Sequence, residues 1–328
     1  MILYHRTMKK NLVREEKVIY SEGFLSESRL CRISHTLPHF HNTSLELVYC
    51  LRGCVFLVTG EQKVTLTEDC VFSVDANEIH YISNASEEDN LLLIFHLDLS
   101  RSDSCFINGE PVMFTCEGTH LFPYQQEAMN SVKDIILALA ASQFGNKDNP
   151  GRKASETRLK DILLKYFDWY NYNNHDEYIN PELRDRFYSL FTYCMKNYRS
   201  KISASDLAER EHLNYNYFSQ FLTTTVFKSF SSMVKYVRCF RAHHLLLETD
   251  LPNCEIAYSV GFSDPKYFYH AFRQWWDCSP KDARNSCTKQ FHNVLNNDKS
   301  IEIIDDFNAL EIIEKYITEW HIKKIFSY

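Results

Sequence analysis

Histidines one residue apart, a glutamate shortly after them and a further histidine downstream make up the most chemically loaded pattern in the sequence. In His39-x-His41-x4-Glu46-x6-Gly53 the two imidazoles share one face of a strand, because alternate strand residues point the same way, and the carboxylate follows a short turn. Asp75-x-Asn77-x2-His80-x3-Asn84 brings another imidazole behind the strand-like run CVFSV. Imidazole nitrogen and carboxylate oxygen suit Zn, Ni, Fe or Mn, so His39, His41, Glu46 and His80 are candidate ligands of a divalent metal. The same side chains can instead line a ligand-binding pocket, exchanging hydrogen bonds with a polar small molecule and requiring no cofactor, or have no site role at all.

Side chains of this kind need a scaffold to bring them together. Between about Leu30 and Leu99 the runs LELVYCL, VFLVT, KVTLT, CVFSV and LLLIFHL have strand length and β-branched or aromatic content. Tyr124–Phe144 and Ala154–Tyr172 read as two helices separated by the turn-like cluster GNKDNPGRK. Short helices follow from Arg184 to Cys287, and an amphipathic helix is expected from about Ile301 to Ile325, with Ile303, Phe307, Leu310, Ile313, Ile317 and Trp320 on one stripe. A chain of 328 residues exceeds one ordinary core. The expected units are residues 1–115, a linker pair at 116–180, an all-α unit at 181–287 and an amphipathic extension at 288–328.

Composition excludes several functions. The eight glycines cannot be assembled into G-x-G-x-x-G or G-x-x-x-x-G-K-[ST], so the usual nucleotide cradles are absent. No apolar stretch approaches the roughly 18 residues that span a bilayer, and the N-terminus lacks a signal-like apolar run, so a cytoplasmic protein without membrane contact is expected. The eleven cysteines are odd in number and form no C-x-x-C, which reads as free thiols. Net charge is −7, yet residues 182–287 hold 14 Lys and Arg against 11 Asp and Glu, a local +3 that is compatible with DNA contact through one face.

The C-terminal part repeats itself at an offset of 49 to 50 residues. Ile202–Ala208 echoes Leu251–Ala257, His212-Leu213 echoes Gly261-Phe262, and Phe218 with Leu222 echoes Phe268 with Phe272. Each copy reads as a short helix, a tight turn and a second helix, the pattern of a helix-turn-helix. Ser203, Asn253 and Asp264 are expected caps, and Phe230–Glu248 is the helix joining the copies. In the second copy Glu255-Ile256-Ala257-x3-Gly261-Phe262-x4-Tyr267-Phe268-x3-Phe272-Arg273, ending in Ser279-Pro280 and Arg284, resembles the AraC/XylS regulators, as does Arg238-x3-Ala242-x2-Leu245-Leu246. The two histidine motifs resemble those of the cupin superfamily. Together they imply an α+β multidomain chain: an N-terminal cupin-like antiparallel β-barrel, a helical linker pair and a C-terminal double helix-turn-helix.

This resemblance implies a transcription regulator, not an enzyme, that binds double-stranded DNA and is modulated by a small-molecule effector, a sugar or related metabolite, in the barrel. It places base-facing positions on Asn216, Ser219 and Gln220 and on Lys266, Tyr269 and His270, with phosphate contacts from Lys228, Arg238, Arg241, Lys266 and Arg273. Tyr217, Phe218, Phe221, Tyr267, Phe268 and Phe272 are expected in the core. A homodimer is implied, through stripes Ile135, Leu139 and Phe144 with Leu159, Ile162, Leu163 and Tyr166; the stripes can equally pack on their own barrel. The chain departs from the family at Asp69, Asp75 and Asn77, where glycine, proline and glycine are usual, and at Phe227 and Asp277, where glycine is usual; a left-handed Phe227 would be strained. The competing readings are a metal-dependent cupin enzyme fused to a DNA-binding module, and a structural DNA binder without sequence choice.

Overall fold

The computed structural model describes residues 12–60, 62–86, 88–119, 121–146, 149–171, 180–295 and 300–326. The N-terminal half is built from β1 (Arg14–Glu15), β2 (Ser26–Ile33), β3 (His39–Phe40), β4 (Ser44–Arg52), β5 (Cys54–Val58), β6 (Lys63–Thr67), β7 (Val71–Val74), β8 (Tyr81–Asn84), β9 (Leu91–Asp98), β10 (Phe106–Ile107) and β11 (Glu110–Pro111). Helices α1 (Gln126–Gly145) and α2 (Gly151–Tyr166) follow. The second half holds α3 (Pro181–Asn197), α4 (Ala204–Arg210), α5 (Tyr215–Thr223), α6 (Phe230–Glu248), α7 (Asn253–Ser259), α8 (Pro265–Trp276) and α9 (Pro280–Leu295), then β12 (Ile301–Ile303) and α10 (Asp306–Phe326). No described helix is long and apolar enough to cross a membrane.

The main strands lie in two antiparallel sheets, one ordered β12-β2-β9-β4-β7 and one ordered β6-β5-β8. Among the described residues no hydrogen-bonded ladder joins them into a closed barrel, so the expected barrel is an open pair of facing sheets. Cys31, Ile33, Val48, Val55, Leu57, Val74, Ile82 and Ile94 fill the space between them. The opposite face of the larger sheet, with Leu30, Leu47, Tyr49, Leu93 and Phe95, packs in one core with α1 and α2. Burial on both faces explains why β4 and β9 read as unbroken apolar runs rather than alternating ones. Asp69 (φ 67°) and Asn77 (φ 64°) adopt the left-handed conformation that the usual glycines would take, as Asp and Asn can.

The duplicated unit repeats its backbone as well as its sequence. His212 (φ 57°) and Gly261 (φ 95°) form the inner turns, and Lys228 (φ 58°), in the turn that leads from α5 into α6, corresponds to Asp277 (φ 47°), the C-cap of α8, both pairs 49 residues apart. The left-handed residue is therefore Lys228 and not Phe227. Phe227 is buried against Phe187, Phe191, Tyr236, Trp169 and Trp275, so the strain expected of it does not arise. Ser203, Asp264 and Ser229 cap α4, α8 and α6 with their side chains. The cap expected at Asn253 is absent: Pro252 stands at that position, and Asn253 Oδ1 accepts from Arg284.

The extension does not run as one helix from Ile301. Ile301–Ile303 form a strand on the free edge of β2, paired Ile301 with Ile33 and Ile303 with Cys31, before α10 begins. Helix α10 lies on α1: Leu310 sits beside Gly145, Trp320 Nε1 donates to Asp134 at 2.6 Å, and Lys133 lies over the Trp320 ring. Ile135, Leu139, Phe144, Leu159 and Leu163 are buried within this chain, so most of the stripe expected at a dimer contact is occupied internally, leaving Ile162 and Tyr166 half-buried.

Candidate functional site

The facing sheets bring the motif histidines together. An isolated bridge pairs His39 with His80 through reciprocal backbone bonds of 3.0 and 2.9 Å, and His41 follows β3 directly. Glu46 on β4 projects into the same space. One ligand atom from each of His39, His41, Glu46 and His80 lies within 4.8 Å of the others, and all four residues are buried. A fourth imidazole completes the centre. His96 on β9 stands directly opposite Glu46 in the β4–β9 register and places Nε2 3.0 Å from Glu46 Oε2. Only strand register reveals it; the sequence signal is a histidine inside the apolar run LLLIFHL.

The ring orientations set what the centre can hold. Nδ1 of His39, His41 and His80 lies 2.8, 2.7 and 3.0 Å from the backbone oxygens of Leu37, Glu16 and Glu78. A carbonyl only accepts, so each Nδ1 carries the proton, and in the neutral ring Nε2 is left with its lone pair. Those of His41 and His80 point at Glu46 Oε2 from 2.9 and 3.4 Å, acceptor against acceptor. His80 Nε2 is fully buried without a hydrogen-bond partner. A cation between these atoms removes the conflict, and Nδ1 bonded to backbone oxygen is the arrangement that orients a metal-ligating imidazole. The donor set therefore fits a divalent transition metal.

Electrostatics make the centre an ionised carboxylate among imidazoles of unequal basicity. Burial would raise the pKa of Glu46, but the surrounding His80, His41 and His96 overcome it and hold the carboxylate well below its ordinary value. Burial, with the charge of His80, pushes His39 down to about 3, and burial also lowers His96. For His80 the neighbouring Glu46 outweighs burial and raises the pKa. The centre opens into a cavity of about 80 Å³ lined by Arg14, Arg29, Thr36, Ile33, Ile82 and Ile94 among others.

A short path leads from this centre to the helical half. His244 on α6 donates from Nε2 to Asn77 O at 2.7 Å and sets its ring edge-on to Phe40. Gln290 on α9 donates to the backbone oxygens of Thr36 and Ile82. The loop carrying His80 is thus bonded to the helix that joins the two helix-turn-helix units.

On the helical half, α5 buries Phe218, Phe221 and Leu222 and exposes Asn216, Ser219 and Gln220; α8 buries Phe268, Ala271 and Phe272 and exposes Lys266, Tyr269 and His270. All six expected base-facing positions reach solvent. Lys228 and Arg273 are exposed too. Tyr217 and Tyr267, expected in the core, are 42% and 56% exposed, so the core expectation holds for the phenylalanines alone. Two expected phosphate arms are committed elsewhere. Arg238 donates to Tyr198 O and Ser200 O at 2.9 and 3.0 Å, closing the end of α3, and Arg241 is half-buried beside Tyr198 with its charge acting on Glu110. Both stand on α6, and their side chains turn towards the rest of the protein.

Comparison with known proteins gives two family matches: a helix-turn-helix domain over residues 207–286 and a cupin domain over residues 34–96. Relatives include the HTH-type transcriptional activator RhaS of Shigella sonnei, 24% identical over 253 residues that cover 75% of this chain and 87% of that protein. Another is the uncharacterized HTH-type transcriptional regulator YdiP of Escherichia coli K12, 20% identical over 82% of this chain and 85% of the relative. Among solved structures, ToxT from Vibrio cholerae superposes with a TM-score of 0.42 at 13% identity, covering 80% of this chain and 98% of that one.

Proposed function

The chain belongs to the AraC/XylS transcription regulators that carry an N-terminal cupin-like domain, and from that premise we propose that a sugar or related metabolite, bound at the histidine centre, sets how the two helix-turn-helix units meet DNA. The observation that carries this reading is the bond from His244 to Asn77 O, which ties the DNA-binding half to the loop of His80. A ligand that engages His80 shifts this loop. It thereby changes the relative stability of two arrangements of α6, a population shift between states that bind DNA differently.

In this reading Asn216, Ser219, Gln220, Lys266, Tyr269 and His270 face bases, Lys228 and Arg273 meet phosphate, and the protein acts as a homodimer on paired half-sites. The half-buried Ile162 and Tyr166 on the outer side of α2 are what remains of the helical stripe for that contact. The opposed lone pairs at Glu46 favour a metal in the effector site, held by His39, His41, Glu46 and His80 with His96 alongside. A divalent ion there supplies a Lewis-acidic anchor for hydroxyl or carboxylate oxygens. The protein's own residues then orient the effector: Arg14, Arg29 and Thr36 line the cavity with polar groups and the isoleucines with apolar surface. A catalyst would turn over its ligand, whereas a sensor returns it unchanged.

The test is selection of bound sites from random DNA at fixed salt, with and without a panel of sugars and sugar acids, for the wild type and His244→Phe. The expected variant binds the selected site as the wild type does and no longer responds to the effector. Failure to enrich any sequence would overturn the regulator reading, and an intact response in His244→Phe would overturn the coupling route.

A further inference from the structure

The C-terminal strand β12 lies beyond both family matches, yet it reaches back to the histidine cavity. Ile301 and Ile303 line that cavity with Cys31 and Ile33 of β2, Ile82 of β8 and Ile94 of β9. Their placement follows from register. Opposite residues of an antiparallel pair share a face, so Ile301 opposite Ile33 and Ile303 opposite Cys31 point inward, while Glu302 points outward and pairs with Arg32 at 3.5 Å. Despite facing the cavity, Ile301 and Ile303 are 43% and 64% exposed. With β12 in place the cavity measures about 80 Å³, well below the roughly 300–1,000 Å³ of ordinary small-molecule sites. The attachment of β12 is slight: a three-residue edge strand on β2 alone, flanked by backbone bonds from Ser34 to Ser300 O and from Ile304 to Leu30 O.

We infer that β12 is a movable wall of the effector site: Ile301 and Ile303 contact the less polar edge of the bound metabolite, and β12 separates from β2 to admit it. The inference rests on the reading of the histidine cavity as the effector site. It makes the segment after the DNA-binding unit part of the sensor, so ligand entry is felt on the C-terminal side of α9 as well as through Asn77. The ligand class that fits presents oxygens to the histidines and a hydrocarbon edge to the isoleucines.

Cys31 provides a reporter that needs no effector. It is buried in the cavity wall opposite Ile303 and has a free thiol. Glu302 stands between the two inward pairs, where the flanking bonds place a hydrogen-bonded pair, so Glu302→Pro removes a ladder donor. The expected result is N-ethylmaleimide labelling of Cys31, followed by peptide mass, about tenfold faster than in the wild type through more frequent local opening. Cys50, buried in β4, stays protected as the control for unfolding. Equal Cys31 labelling in both proteins, with Cys50 protected, would overturn the inference. In a second variant, Ile303→Cys, diamide oxidation should join residue 303 to Cys31 across a non-hydrogen-bonded pair, a geometry that a disulfide accepts. The locked chain should keep its binding to the selected DNA site, lose its response to the sugar panel and regain it with dithiothreitol; a wild-type response in the locked state would overturn the inference. If no DNA site is selected at all, the regulator reading fails while the labelling result still decides the role of β12.

Discussion

Replacing Glu46 by Gln gives opposite outcomes for the two ways of reconciling the histidine centre. If a cation balances it in the working protein, the metal-free form holds Nε2 lone pairs of His41 and His80 at 2.9 and 3.4 Å from a carboxylate oxygen that cannot donate. A glutamine amide can donate to one of them. The metal-free Glu46→Gln protein should therefore be more stable than the metal-free wild type by about 1 kcal/mol, the net worth of one buried hydrogen bond. Metal then acts only on the wild type. An ion at a hundredfold excess over its Kd adds about 2.7 kcal/mol, which is about 5–10 °C in Tm for a folding unit of this size. The assay is differential scanning calorimetry on chelator-treated protein titrated with Zn, Ni, Mn or Fe(II), beside Glu46→Gln and His80→Ala, both expected to lose most of the shift. If the imidazoles are instead protonated and Glu46 is their counter-ion, Glu46→Gln removes a buried partner charge and destabilises the protein by about 3 kcal/mol or more. Destabilisation of that size, together with no metal-induced shift in the wild type, would refute the metal argument.

Other consequences follow from the helical half. Gly261→Ala would put a Cβ 2.6 Å from Tyr198 O at φ 95° and should cost about 2–3 kcal/mol in urea unfolding, whereas His212→Gly at the equivalent turn, φ 57°, should gain about 0.5–1 kcal/mol. His243 is buried between α6 and α8, and burial, with His244, pushes its pKa down to about 3. Below about pH 6.5 the unfolded chain binds a proton that the folded chain refuses, so stability falls as pH falls towards 3, by up to about 1.4 kcal/mol per pH unit, and His243→Leu should flatten that slope in unfolding curves taken between pH 7 and 5.5. Lys266→Ala with His270→Ala should relax base preference at the contacted positions in a site-selection experiment, by about 1–3 kcal/mol per base contact; weakening that is uniform over all sequences would assign both side chains to phosphate.

Sequence reading succeeded where the cause is local. Asp264 and Pro265 announce the start of α8 because a cap and a fixed φ act within one turn, and Asp69 and Asn77 stand for glycine because their side chains tolerate the left-handed backbone. That His39, His41 and His80 converge on Glu46 is visible through strand alternation and turn spacing. Non-local features were not. His96 joins Glu46 through the β4–β9 register, 50 residues apart in the chain, and no pattern within LLLIFHL states that register. Arg238 and Arg241 occupy positions that a helix-turn-helix can turn to phosphate, but whether their guanidinium groups face DNA or the protein depends on where Tyr198 and Glu110 pack. Three residues of strand before a long amphipathic helix leave no distinct period, so β12 was read as the start of α10.

Asn77 gathers these threads into one mechanism. Its left-handed backbone turns its N–H to His41 O at 2.7 Å and its own carbonyl to His244 at 2.7 Å, so the two peptide groups that flank one Cα touch the histidine centre on one side and the linking helix on the other. The side chain adds a bond to Asn42 O at 3.2 Å, which fixes the turn in a way a glycine could not. A glycine here would hold the same φ more loosely and let a shift at His41 or His80 dissipate in the turn. In the proposed coupling, the departure from the family pattern stiffens the joint between the histidine centre and the linking helix. Asn77→Gly should leave the fold intact and reduce the effector's influence on DNA affinity, measured as the ratio of DNA dissociation constants with and without effector; an unchanged ratio would show that coupling runs instead through Gln290 and β12.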